Sequence, residues 1–206
     1  MDIRILPPQA FDKFSRLPEG LPPLEGLFPA RMRPLEVEIG CGKGRFLLAR
    51  AQAFPEINFL GIDYAAKWMN IGLHRGQKRG LENLKFVRAN AALMVEKYIP
   101  DGKVSVFHIY FPDPWHKRRH RKRRLLTKSF FECLWRRLAP DGLVEIATDN
   151  ADYYASIAAE AALTRSLWSS VRESVNRRLF GEEMKTNYEL KYEAEGRPLY
   201  YMEMKK

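Results

Sequence analysis

The chain has 206 residues, of which 46% are hydrophobic, and its formal net charge is +10 at pH 7. This length accommodates one sizeable core with additional segments. The two cysteines, Cys41 and Cys133, lack the spacing of a zinc site or a disulfide framework. No apolar run approaches the ~18 residues that cross a bilayer, and no N-terminal export signal is evident. We therefore expect a cytoplasmic protein without a membrane span or a bound metal.

The prolines divide the chain into two parts. Seven of the thirteen lie within the first 34 residues, where they interrupt helices and keep the backbone extended or turned. We expect residues 1–34 to form an irregular arm and residues 35–206 to form a single domain.

From Leu35 onward, short apolar or β-branched runs alternate with longer segments of helical periodicity. This alternation is typical of βαβ units and predicts an α/β fold with a mainly parallel sheet. The predicted strands are Leu35–Ile39, Asn58–Ile62, Leu84–Arg88, Val104–Phe111, Leu143–Thr148 and Pro198–Met204. The predicted helices are Arg45–Ala53, Ala66–Arg79, Thr127–Leu138 and Ala151–Leu163.

Three glycines follow the first predicted strand, in the sequence Glu38-Ile39-Gly40-Cys41-Gly42-Lys43-Gly44. Glycine permits positive φ and lets a ligand approach the backbone closely. The spacing G-x-G-x-G differs from the phosphate-binding loops of dinucleotide folds and P-loop proteins. Asp63 follows the next predicted strand, where it could accept hydrogen bonds from a ribose. The simpler alternative is an ordinary strand-to-helix turn with Asp63 as a cap.

The glycine loop, with Glu38 before it and Asp63 after it, resembles that of class I S-adenosylmethionine-dependent methyltransferases. The resemblance implies S-adenosyl-L-methionine as cofactor. It also implies a Rossmann-like sheet of seven mainly parallel strands, flanked by helices, with an antiparallel C-terminal strand. Glu38 would complement the positive charges of the cofactor's amino and sulfonium groups. Asn90 follows the third predicted strand, where its amide could pair with adenine or simply cap a helix.

Asp113 stands between Pro112 and Pro114, at the end of the fourth predicted strand. The two prolines restrict the local backbone and hold the carboxylate at the mouth of the strand, where ligands of open α/β sheets bind. Alternatively, Asp113 caps a turn and Trp115 only packs.

The segment Lys117–Arg124, here called the basic tract, contains seven Lys or Arg residues in eight positions. These seven charges account for most of the net charge of +10. Such a tract indicates a polyanionic partner. We expect Arg121, Lys122, Arg123 and Arg124 to contact an RNA backbone. The alternative is an ordinary solvated surface.

The sequence from Phe111 to Leu125 closely resembles the signature of bacterial tRNA (guanine-N7)-methyltransferases, the TrmB family. Further matches are Glu38–Gly44 with Asp63, Thr148-Asp149-Asn150, and Thr186–Glu189 with Tyr192 and Gly196. The resemblance implies methyl transfer from S-adenosyl-L-methionine to N7 of a guanine in the tRNA variable loop.

The same resemblance implies roles for individual residues. Cofactor contacts are expected from Glu38, Gly40, Gly42, Gly44, Asp63, Asn90 and Asp113, with Asp113 as the catalytic carboxylate. Substrate contacts are expected from Lys117, Asp149, Thr186, Asn187, Tyr188 and Glu189. Two positions depart from the family's commonest residues, because Glu often stands in place of Asp63 and Asp in place of Asn90.

Guanine N7 has a free lone pair and no proton to lose, so the reaction needs alignment and charge complementarity rather than a strong base. Asp113 or Asp149 would accept hydrogen bonds from guanine N1–H and the exocyclic amine. Two alternatives stay open: methylation of another RNA or of a protein, and a non-catalytic RNA-binding protein on the same fold. The sequence does not distinguish a monomer from a homodimer.

Overall fold

The computed structural model describes residue 17, residues 20–180 and residues 184–206. Much of the predicted N-terminal arm lies outside the described residues. Its described part is irregular apart from a 3-10 turn at Leu24–Gly26. Leu24, Leu27 and Phe28 are buried in the main hydrophobic core, so this part of the arm packs onto the domain.

The strands are β1 (Leu35–Ile39), β2 (Asn58–Asp63), β3 (Leu84–Arg88), β4 (Val104–Tyr110), β5 (Leu138–Thr148), β6 (Ser170–Val175) and β7 (Tyr200–Lys205). Their order is β3-β2-β1-β4-β5-β7-β6, and each neighbouring pair from β3 to β5 is parallel. β7 runs antiparallel between β5 and β6. The predicted Rossmann-like α/β fold, a mainly parallel seven-stranded sheet with an antiparallel C-terminal strand, is confirmed. All five residues of the central strand β1 are buried, as expected for a sheet covered on both faces.

The helices are α1 (Arg45–Ala53), α2 (Ala66–Lys78), α3 (Ala91–Leu93), α4 (Lys128–Arg137), α5 (Ala151–Ala162) and α6 (Asn187–Ala194). α3 continues into a π-helical segment, Met94–Tyr98. Side chains cap four of the helices, since Asn90, Thr127, Asn150 and Thr186 each accept a hydrogen bond from a backbone N–H of the first turn. No helix in the described ranges has the length and apolarity needed to span a membrane.

The largest differences from the sequence-based prediction concern β5, β6 and α6; the short helix α3 and its π-helical continuation were not predicted either. β5 begins at Leu138 rather than Leu143, because the turn-like sequence Pro140-Asp141-Gly142 forms an irregular extension of the strand. The edge strand β6 escapes prediction, since its six residues are only partly buried or exposed. α6 also escapes prediction, because it lacks a continuous apolar face and begins instead with a capping box.

The parallel strands bring the sequence motifs to one edge of the sheet. The glycine loop follows β1, Asp63 ends β2, and Asn90 follows β3. Asp113 follows β4, and Asp149 follows β5. Ligands of open α/β sheets bind outside this carboxyl edge. Residues predicted from separate motifs therefore share the edge at which a ligand is expected.

Candidate active site

The three loop glycines have different roles. Their φ angles are 80° at Gly40, 52° at Gly42 and 65° at Gly44, all in the left-handed region that favours glycine. A Cβ at Gly40 or Gly42 would meet no atom of the described residues within 4 Å, so these two leave the backbone open to a ligand. A Cβ at Gly44 would lie 2.7 Å from the Phe86 ring. Gly44 is therefore needed for packing between the loop and β3.

Asp63 is fixed by backbone hydrogen bonds. One carboxylate oxygen accepts from the Gly42 N–H at 2.7 Å, and the other accepts from the Ala65 N–H at 2.7 Å. These bonds join the end of β2 to the glycine loop and to the start of α2. A carboxylate has about four acceptor positions, so Asp63 retains capacity for a ligand hydroxyl.

Glu38 is a buried carboxylate at the end of β1, with 4% of its surface exposed. Its Oε2 is fully buried and has no hydrogen-bond partner among the described residues. Burial raises the pKa of Glu38 well above its usual range; the Asp63 and Glu189 carboxylates raise it further, whereas Arg178 opposes the shift. A cationic ligand group at Oε2 would favour the ionised form.

Two adjoining cavities lie at this edge of the sheet. The larger, about 470 Å³, is lined by predicted site residues Gly40, Gly42, Asp63, Asn90, Asp113 and Tyr188, together with Trp115 and Arg123. The smaller, about 270 Å³, is lined by Glu38, Thr186 and Asn187 and shares Gly40, Gly42 and Tyr188 with the larger one. Gly44, Lys117, Asp149 and Glu189 line neither cavity. The glycine loop and the Asp-Pro-Trp segment therefore face one continuous space.

Asn90 and Asp113 line the larger cavity in different settings. The Asn90 side-chain oxygen caps α3, accepting from the N–H groups of Ala92 at 2.9 Å and Leu93 at 3.3 Å. Asp113 is exposed and lies between two aromatic residues with positive φ, 52° at Phe111 and 49° at Trp115. Bulky side chains rarely adopt this conformation, and such strain is concentrated at functional sites.

The basic tract is structurally divided. Arg124 is held within the protein: its Nε donates to the Pro114 carbonyl at 2.9 Å, and its guanidinium lies 2.7 Å from the Asp152 carboxylate. Only 7% of its side chain is exposed. Arg121 also pairs with Asp152, at 3.1 Å, whereas Arg123 stacks over Trp115 at 5.0 Å. Arg124 thus fixes the Asp-Pro-Trp loop, and the exposed cations of the tract face solvent.

The C-terminal motif forms the start of α6. Thr186 Oγ1 accepts from the Glu189 N–H at 3.1 Å, and Glu189 Oε2 accepts from the Thr186 N–H at 2.7 Å, which completes a capping box. Glu189 is fully buried, whereas Asn187 and Tyr188 are exposed. The motif therefore presents Asn187 and Tyr188 to the cavities while Glu189 points into the protein.

Comparisons with known proteins agree with these motifs. The profile of a family described as "Putative methyltransferase" matches residues 32–202. A tRNA (guanine-N(7)-)-methyltransferase of Geobacillus kaustophilus (strain HTA426) is 32% identical over 203 residues, covering 95% of this chain and 93% of the relative. The chain belongs to the tRNA (guanine-N7)-methyltransferase family.

The overlap with other members of the tRNA (guanine-N7)-methyltransferase family is shorter. The enzyme of that name from Sodalis glossinidius (strain morsitans) is 38% identical over 150 residues, which span 71% of this chain but 62% of the relative. Among solved structures, the antibiotic-resistance methyltransferase Kmr matches with a TM-score of 0.60 and 16% identity, covering 88% of this chain and 90% of that chain. At that identity the likeness supports the fold alone.

This member of the tRNA (guanine-N7)-methyltransferase family also contains a group of buried charges that the motifs do not reveal. We call it the buried charge network; it consists of Glu36, Arg50, His108, Tyr110, Glu145, Arg178 and Glu189. In its first half, Glu36 accepts from the Arg50 guanidinium at 2.6 and 2.7 Å, and its Oε2 lies 2.9 Å from His108 Nε2. Burial alone would raise the pKa of Glu36, but His108 and Arg50 lower it below its usual value.

The second half of the network is centred on Arg178. Its guanidinium donates to both Glu189 oxygens at 2.8 Å and to the Tyr110 hydroxyl at 2.7 Å. The Tyr110 hydroxyl also donates to Glu145 and lies 2.9 Å from His108 Nδ1. The network therefore links the sheet to the capped start of α6.

Sequence reasoning missed Arg178 because it lies in a segment without recognisable periodicity, close to three residues that the structure does not describe. Its position explains why Glu189 is buried. The Arg178–Glu189 ion pair holds the first turn of α6 against the end of β4. This contact lies beside the smaller cavity, which Tyr110, Asn187 and Tyr188 line. The only sequence signal for the structural role of Glu189 was the pattern Thr186-x-x-Glu189, which matches a capping box as well as a substrate-binding motif.

Proposed function

We propose that this protein transfers a methyl group from S-adenosyl-L-methionine to N7 of a guanine in the variable loop of tRNA. One observation carries the proposal: the larger cavity is lined by Gly40, Gly42 and Asp63 as well as by Asp113 and Arg123. The glycine loop that we assign to the cofactor and the loop that we assign to the RNA thus border the same space. Family membership supports guanine N7 as the methylated atom and tRNA as the substrate.

The cavity residues fit S-adenosyl-L-methionine. Gly40 and Gly42 leave their backbone open, and Asp63 retains acceptor positions for ribose hydroxyls. The buried Glu38 Oε2, unpartnered among the described residues, suits a cationic group. When bound, the cofactor supplies an electrophilic methyl group on a sulfonium. Asn90 lines the region in which the adenine contact is expected, with its amide nitrogen left for that contact because its oxygen caps α3.

The protein's own contribution is to position and polarise the guanine. N7 attacks without losing a proton, so no side chain has to act as a strong base. Asp113, exposed at the cavity, would accept from guanine N1–H and the exocyclic amine and stabilise the positive charge that develops on the base. Asp149 is less available, because it pairs with Arg197 at 2.9 Å.

The RNA backbone is proposed to lie along the exposed cations of the basic tract. Lys117, Lys122 and Arg123 are exposed, so they can reach phosphates. Arg121 can do so by releasing its exposed pair with Asp152. Arg124 is expected to act on the RNA through the loop that it anchors. A tRNA substrate also implies that the enzyme works in the cytoplasm.

The test is to incubate unmodified tRNA transcripts with the protein and methyl-labelled cofactor, and to map the labelled nucleoside by mass spectrometry after digestion. We expect 7-methylguanosine at one variable-loop position. The matched control is the same tRNA with 7-deazaguanosine at that position, which lacks the accepting nitrogen and should take up no label. Label on another nucleoside, or label retained by the 7-deaza substrate, would contradict the proposal.

A further inference from the structure

Exposed aromatic side chains are concentrated around the larger cavity. Among the described residues, the large hydrophobic side chains with high exposure include three aromatic ones: Tyr64 at 48%, Trp68 at 41% and Tyr188 at 53%. All three line the cavity of about 470 Å³. Water-exposed aromatic rings beside a cavity are a common means of holding unstacked nucleobases.

Trp68 is also surrounded by cations. The Lys43 ammonium lies 4.6 Å from the centre of the Trp68 ring, and the Lys67 ammonium lies 5.2 Å from it. Arg45 lines the smaller cavity beside them. In the part of the chain that the structure describes, none of these three cations forms an ion pair with a carboxylate. Their charge is therefore available to a partner.

This group lies on the other side of the cavity from the basic tract. Lys43 belongs to the loop after β1, and Lys67 and Trp68 begin α2 after β2. The basic tract follows β4 and pairs with Asp152 of α5, after β5. Since β2 and β5 lie on opposite sides of the central β1–β4 pair, the cavity opens between two cationic surfaces.

We propose that Lys43, Arg45, Lys67 and Trp68 form a second RNA-binding surface, which holds an unpaired nucleotide next to the target guanine. Trp68 stacks on the neighbouring base, and the cations bind the phosphates beside it. For the guanine to enter the cavity, the RNA strand has to pass both rims of the cavity. The basic tract supplies contacts on one of these rims only. This inference rests on the proposed function for its substrate and adds a specific contact to it.

The experiment measures tRNA affinity at several salt concentrations and, separately, cofactor affinity by calorimetry. For Trp68→Ala we expect tRNA to bind about tenfold more weakly, within the range found for loss of one base–aromatic stack. Trp68→Tyr should recover most of this affinity, because it keeps a stacking ring. Trp68 also lines both cavities that we assign to the cofactor, so we expect cofactor affinity to fall by a smaller factor than tRNA affinity.

The charge contribution is tested with Lys43→Ala/Lys67→Ala. Each lost phosphate contact should reduce the slope of log affinity against log salt by about one. The matched control is Lys78→Ala/Lys103→Ala, which removes two exposed lysines away from the cavity and should leave the slope unchanged. Neither control lysine forms an ion pair among the described residues.

The proposal would be overturned if Trp68→Ala weakened cofactor binding and left tRNA binding intact, because Trp68 would then cover the cofactor. It would also fail if both lysine pairs changed the salt slope equally. These results are distinct from failure of the proposed function. The wild-type protein could methylate a different nucleoside while Trp68→Ala still weakened RNA binding. The second RNA-binding surface would then be supported, and the assignment of guanine as the target would be wrong.

Discussion

The basic tract and the buried charge network use charge in opposite ways. The tract concentrates seven cations in eight consecutive residues, and most of them are exposed. The network draws its members from positions 36 to 189, and its charged residues are at most 7% exposed. Exposed cations interact weakly with their own protein and remain available to a polyanion. Buried charges must be paired within the protein, so they fix the relative position of the elements that carry them.

The largest effect is expected from breaking the network at Arg178. Arg178→Met leaves Glu189 and Glu145 buried without their cation, which should lower the free energy of unfolding by about 3–5 kcal/mol. Denaturant unfolding measures this difference. The control is Arg121→Met, which removes a cation from an exposed ion pair and should change stability little. Equal losses of unfolding free energy in the two variants would show that burial does not make the charges of the network more important for stability than those of the basic tract.

The next largest effect concerns Asp113, at the junction between the β4 strand and the tract. Asp113→Asn removes the negative charge and one acceptor that we assign to the guanine, and should lower kcat about 10²–10³-fold without changing the unfolding midpoint. Asp101→Asn is the control, because Asp101 is an exposed aspartate at the amino end of the same strand. Near wild-type turnover by Asp113→Asn would show that the Asp113 carboxylate does not contribute to methyl transfer.

Glu38 provides a pH-dependent test of the cofactor site. Its raised pKa means that it keeps its proton to a higher pH than an exposed glutamate, while a cationic ligand binds the ionised form. Affinity for S-adenosyl-L-methionine should therefore increase as pH rises from about 5 to about 7, below the range in which an α-amino group loses its proton. Glu38→Gln should bind several-fold more weakly and lose this dependence. Calorimetry over that pH range checks both expectations.

Much of the fold could be predicted because its signals are local. The strands at Leu35–Ile39 and Leu84–Arg88 and the helix at Arg45–Ala53 agree with the structure at both ends. The edge strand β6 and helix α6 could not be predicted, because tertiary contacts stabilise them: in the part of the chain that the structure describes, β6 pairs with β7 alone, and Arg178 holds α6 through Glu189.

The distinction between local sequence signals and tertiary contacts also applies to the candidate site. Several residues that the motifs single out, including Gly40, Asp63 and Asp113, line the larger cavity. Motif spacing could not predict that Glu189 is buried, since this depends on Arg178, which lies 11 residues earlier in a segment without regular secondary structure. Nor could it separate Arg124 from its neighbours, because a run of cations carries no information about which side chain meets Asp152 or the Pro114 carbonyl.

The smallest expected effect divides the tract itself. Lys122→Ala should reduce the slope of log affinity for tRNA against log salt by about one and leave stability unchanged, because Lys122 is exposed and we propose that it contacts phosphate. Arg124→Ala should lower the thermal unfolding midpoint instead, since it removes the bond to the Pro114 carbonyl and the packing against Tyr153. Filter binding at four salt concentrations and thermal unfolding compare the two. If both variants changed only the salt slope, Arg124 would belong with the exposed cations, and the structural division of the tract would be wrong.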